Sequence, residues 1–152
     1  MVFRILFPSF PRGRGGTALF MLRAFVGIAF LFHGYEKIVD IPAFAAEFNM
    51  PTVAAVAGAY TQFIGGVLMI VGLLTPLASV ALASTMAVAT LSLILRGETF
   101  INPHGHSWEA SSFYLTTSLA IALLGPGLFS LDALLFSRRV IVIDRSQVSN
   151  SV

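Results

Sequence analysis

The sequence predicts an all-α integral membrane protein: a bundle of four transmembrane helices with both termini cytoplasmic and a short interfacial helix after helix four. Three observations predict it. Of 152 residues, 57% are hydrophobic and only 11% charged. A soluble domain carries about a quarter charged residues, so most of this chain sits in a solvent that does not reward charge. Four apolar stretches, at 17–39, 52–74, 77–95 and 108–124, come close to the roughly 20 residues that cross a bilayer. Finally, arginine gathers outside these stretches, toward the two ends of the chain.

Residues 1–16 place Arg4, Arg12 and Arg14 among prolines and glycines, which disfavour a regular helix and predict a basic arm on the headgroups. The first span follows at 17–39. The small-x-small run Ala43-Phe44-Ala45 lies beyond a charged stretch, so the span is expected to be retained rather than cleaved as a signal. Met50-Pro51 opens the second span, since proline suits a helix start. Thr75-Pro76 leaves so short a connection that spans two and three must form an antiparallel hairpin. A polar loop from Arg96 to Ser107 leads to the fourth span, which Gly125-Pro126-Gly127 stops. Leu128 to Phe136 is apolar but short, an interfacial helix with Ser130 as its cap. Residues 17–136 thus form the membrane domain, and 137–152 a polar tail with Arg138, Arg139 and Arg145.

Orientation follows from the cations. The arm and the tail are arginine-rich, whereas Lys37 and Arg96 in the other loops are offset by Glu36, Asp40, Glu47, Glu98 and Glu109. Positive flanks stay inside, so both termini are expected in the cytoplasm of a bacterial-type cell, with the bundle in its inner membrane. An even number of spans agrees, since it puts both termini on one side. Nine Lys+Arg against seven Asp+Glu is too small an excess to imply nucleic acid, so the expected partners are the lipid bilayer and other membrane subunits or a second copy. The absence of cysteine excludes disulfides, thiolate metal sites, cysteine nucleophiles and covalent haem through CxxCH.

Polar residues inside spans mark the candidate site, because an ionisable group there costs about 2.5–3.5 kcal/mol on insertion scales. Arg23 either snorkels to headgroups or turns inward to an ion pair or a polar ligand. His33, Glu36 and Lys37 stand at i, i+3 and i+4 and share one helix face. Gln62 reaches a similar depth from span two. His104 and His106, with Glu109 or Glu36, offer a nitrogen and oxygen set for a metal, although solvated loop histidines fit the same residues. Tyr114 and Trp108 suit an aromatic belt. The expected site therefore has His33, Glu36, Lys37 and Glu109 as catalytic candidates and Arg23, Gln62 and Tyr114 as substrate-binding candidates, with His104 and His106 as metal candidates.

From Leu19 to Leu135 the chain resembles the DoxX family of small four-helix membrane proteins. The resemblance rests on Arg23, on Phe32-His33-Gly34-Tyr35-Glu36-Lys37, and on Asn49-Met50-Pro51. It continues through Gly65-Gly66-Val67-Leu68-Met69-Ile70-Val71-Gly72-Leu73-Leu74-Thr75, then Glu109, and closes on Gly125-Pro126-Gly127-Leu128-Phe129-Ser130-Leu131-Asp132. It implies a membrane component of a redox system, linked to a quinone or a sulfur compound. The family often carries an acidic residue in helix two where this chain has Gln62, which removes that position from any proton relay.

Three functions remain open on the sequence. In the first, a quinone headgroup or small sulfur substrate sits near the outer ends of helices one, two and four, with His33 handling a proton. In the second, the chain is a non-catalytic accessory or assembly subunit of a larger respiratory-type complex. The third is a small-solute or proton channel.

Overall fold

The computed structural model describes residues 10–103 and 105–135. Residues 1–9 of the expected arm, His104 and the whole polar tail lie outside the described residues. The described chain is all-helical. Helix α1 spans Gly13–Val39, α2 Ile41–Glu47, α3 Thr52–Val71, α4 Thr75–Leu95 and α5 Glu109–Leu124. A further helical turn occupies 131–135. Three helices, α1, α3 and α4, are long and apolar enough to cross a membrane, and α5 is a shorter apolar helix of 16 residues.

Two departures from the sequence expectation have local causes. Helix α1 begins at Gly13, inside the stretch read as an irregular arm. Gly16 lies against the Pro11 carbonyl and Leu128, and the Leu128 N–H donates to the same carbonyl at 3.1 Å, so contacts from the far end of the chain hold this first turn. The connection after α1 is itself helical. Asp40 accepts from the Ala43 N–H at 3.0 Å and Pro42 occupies the first turn, a helix start of the ordinary kind.

The long helices are antiparallel neighbours. The most extensive packing joins α1 to α3 and α4 to α5. Helix α1 approaches α3 closely enough that a Cβ on Gly27 would lie 2.8 Å from the Gly66 carbonyl oxygen, and one on Gly66 would lie 2.7 Å from the Gly27 oxygen. Small residues at such a crossing let backbones approach where no hydrophobic drive between helices exists. Around it, Val26, Phe30, Met69, Leu82, Met86 and Ile121 form the buried core. Outward-facing Phe25, Ile28, Phe32, Val80, Leu91 and Leu123 are exposed, as expected of surfaces whose solvent is lipid.

The bundle has two dissimilar ends. At the turn end, α3 closes on Gly72 in the left-handed region (φ 70°), and Leu74 adopts the same region at φ 50° before α4 starts. Helix α4 has no side-chain cap of its own. The fully buried Asp132 supplies one, accepting from Leu74 N–H at 2.7 Å and Thr75 N–H at 2.8 Å, while its own N–H donates to the Gly72 carbonyl at 2.9 Å. Asp132→Ala is expected to cost about 2 kcal/mol, the upper range for losing an N-cap, and Asp132→Asn roughly half of that. Denaturant unfolding in detergent checks this, and an unchanged midpoint for the alanine variant would exclude the capping role. Ser130 caps the turn at 131–135, accepting from Ala133 N–H at 3.0 Å. The opposite, loop end carries α2 and the 96–108 connection.

Candidate functional site

At the turn end, Arg23 is fully buried one turn inside the bundle from Leu19. Its Nε donates to the Met69 carbonyl at 2.9 Å, one Nη to the Pro126 carbonyl and the other to the Phe129 carbonyl at 2.7 Å. A Cβ on Gly72 would lie 2.7 Å from the guanidinium, so that glycine is needed both for its backbone and for the space it leaves. Arg23 therefore ties α1 to α3 and to the 125–130 segment through main-chain acceptors. It stands at the end of the bundle remote from Lys37.

At the loop end, the polar residues of α1 separate. Lys37 turns toward α3 and donates from Nζ to Gln62 Oε1 at 2.8 Å, with the ammonium 4.7 Å from the centre of the Phe44 ring. Gln62 is 2% exposed. His33 is exposed and meets α5 instead, its ring 5.9 Å from that of Tyr114 in an edge arrangement. Glu36 is exposed. Glu109 and Tyr114 line a separate hollow of about 500 Å³ with Phe100 and Phe113 on the α5 side. His106 Nδ1 lies 3.8 Å from Glu47 Oε1, so it contacts the end of α2. Among the described residues, no three His, Asp or Glu side chains gather where a metal could be held. His104 lies outside those residues.

The pair Lys37–Gln62 heads a cleft of about 440 Å³ between α3 and α4. Small residues make the space: Ala54, Ala57 and Gly58 on α3 face Ala81 and Ala89 on α4. Thr61, Ser84 and Thr85 add hydroxyls, but Ser84 and Thr85 donate to carbonyls in their own helix at 2.7 and 2.8 Å. The roof is α2, which contributes Phe44 and the adjoining Phe48. It is held down by the Lys37 contact to Phe44, by Arg96 stacked 5.3 Å over Phe48, and by the Glu47–His106 pair. The arrangement is an apolar slot with one ammonium and one amide at its inner end, under two aromatic rings. Such a site suits a flat molecule with a few hydrogen-bond acceptors. Sequence reasoning named Lys37 and Gln62 but missed Phe44 and Phe48, whose signal was the Asp40-Ile41-Pro42 helix start.

A family model for DoxX matches residues 18–95. The chain belongs to the DoxX family. Every residue lining the Lys37–Gln62 cleft falls within the DoxX stretch, whereas Glu109 and Tyr114 lie beyond it. The chain is also similar to a Bacillus subtilis (strain 168) protein described as "Putative oxidoreductase CatD", at 32% identity over 124 residues, covering 80% of this chain and 87% of the relative. No solved structure matches significantly. With its apolar helices, this DoxX protein is a multi-pass membrane protein.

Proposed function

We propose that this chain is a membrane subunit of a redox system that binds a quinone headgroup in the cleft between α3 and α4. The observation that carries the reading is the Lys37–Gln62 pair, an ammonium and an amide in a largely apolar slot. A quinone is a flat ring with carbonyl oxygens at its edges. Lys37 has further N–H groups to donate beyond the one on Gln62, and an ammonium–oxygen hydrogen bond is worth about 1.5–3 kcal/mol. Phe44 and Phe48 would pack on the ring faces. A partner subunit would exchange the electrons, and this chain would hold and orient the quinone. The description of the Bacillus subtilis relative as an oxidoreductase supports the redox link.

In this reading the chain crosses the inner membrane four times, with α5 as the shortest span, and both termini are cytoplasmic. Exposed Arg12 and Arg14 lie at the turn end, while Glu36, Asp40, Glu47, Glu98 and Glu109 lie at the loop end, which would face outward. The cleft then opens within the outer half of the bilayer.

The test is equilibrium binding of a tail-less benzoquinone to protein in lipid nanodiscs. Lys37→Met is expected to weaken binding at least tenfold, and Gln62→Leu by a similar factor, with the thermal midpoint of each variant recorded to confirm folding. Unchanged affinity in a folded Lys37→Met variant would sink the reading.

A further inference from the structure

The cleft does not stop at its lower edge. Thr61 and Ala81, which line it, also line a second and almost wholly apolar hollow of about 340 Å³, bounded by Ile64, Leu68, Leu74 and Leu77. The two hollows therefore form one trough along the α3–α4 seam. On α3 it runs from Ala54 to Leu68, about 20 Å at 1.5 Å per residue. Its floor is closed where Gly65 abuts Leu82, a contact so tight that a Cβ on Gly65 would lie 2.9 Å from the leucine side chain. The rims of the lower hollow, Ile64 and Leu77, are half exposed, so that part of the trough is open sideways. It descends from the loop end toward the turn end, parallel to the helices and hence to surrounding lipid chains.

We propose that the seam seats the isoprenoid tail of a bilayer-dissolved quinone, which enters sideways between α3 and α4 with its ring stopped at Lys37 and Gln62. This rests on the quinone reading of the upper cleft and adds the tail, its seat and its route. Continuity favours this occupant: the apolar trough leads directly into the polar head. A phospholipid acyl chain would fit the lower trough, but its anionic headgroup is matched by several basic groups rather than by one ammonium beside a neutral amide under two rings. A molecule lying with its ring toward the loop end and its tail along the lipid chains needs no reorientation to slide in. The shallow rims make binding an exchange of lipid contacts for seam contacts.

The experiment uses the full chain in nanodiscs and a prenylated quinone carrying a diazirine at the tip of its tail. After irradiation, label is expected within 64–68 and 74–78, and excess tail-less quinone should reduce it at least fivefold. At equal mole fraction in the bilayer, the prenylated quinone should bind at least tenfold more tightly than the tail-less one. Ile64→Trp and Leu77→Trp, which fill the rims, should each reduce that ratio at least fivefold. Equal affinity of the two quinones, with label scattered over lipid-facing residues, would overturn the tail seat while leaving the headgroup reading intact. If neither quinone binds, both readings fall. Seam labelling by a diazirine phospholipid that quinone does not displace would make the trough a structural lipid site instead.

Discussion

Replacing Arg23 by leucine is expected to loosen the turn end of the bundle and to lower stability by about 3–5 kcal/mol, the range for removing one member of a buried, hydrogen-bonded charge system. The loss has two parts. The carbonyls of Met69, Pro126 and Phe129 lose their guanidinium donor, and each buried acceptor left unsatisfied costs about 1–3 kcal/mol. Asp132 also remains as a buried anion at the same junction, since its N–H is bonded to Gly72, against which the guanidinium lies. Arg23→Lys is expected to recover less than half, because one ammonium cannot reach three acceptors set along a planar fork. Unfolding midpoints in mild detergent measure both, and an Arg23→Leu protein as stable as the wild type would refute the assignment.

Gly34→Leu is expected to be nearly as damaging, at about 3 kcal/mol, toward the upper range for overpacking. A Cβ on Gly34 would fall on the backbone of Phe63, within 2.7 Å of its Cα, and backbone cannot yield as a side-chain tip can. Helices α1 and α3 must then part. Gly34 is less than one turn from Lys37 and Phe63 adjoins Gln62, so this separation also stretches the 2.8 Å bond between those two side chains. On the proposed quinone reading, Gly34→Leu should therefore lose quinone affinity together with stability, whereas Gly34→Ala should show a smaller loss of both. A destabilised leucine variant that keeps full affinity would separate the crossing from the site.

How much of this was readable beforehand depends on how far each feature reaches along the chain. The long apolar helices were legible because hydropathy needs no partner. The Asp40–Pro42 start of α2 was written locally and only its shortness hid it. The inward turn of Arg23 was not legible, because its acceptors at Pro126 and Phe129 lie more than a hundred residues away. Helical periodicity put His33, Glu36 and Lys37 on one face, but it could not say that Lys37 would reach α3 while His33 met Tyr114 on α5. The capping role of Asp132 carried no signal in its own neighbourhood, since the N–H groups it caps are 57 and 58 residues earlier. Gln62 was visible as an oddity in an apolar span. That Lys37, singled out on a different helix, would be its partner was not.

The wide sequence span of these turn-end contacts sets a timetable for synthesis. Helix α1 leaves the ribosome and enters the membrane with Arg23 charged and its last acceptors unmade for another hundred residues. The α3–α4 hairpin, likewise, is inserted before Asp132 exists to tie its bend. A growing chain can therefore thread its early helices but cannot lock them until the Pro126–Asp132 stretch has been translated. Nascent chains halted before that stretch should be recognisable to membrane proteases by an unsatisfied cation near the start of their first helix, and chains released after it should not.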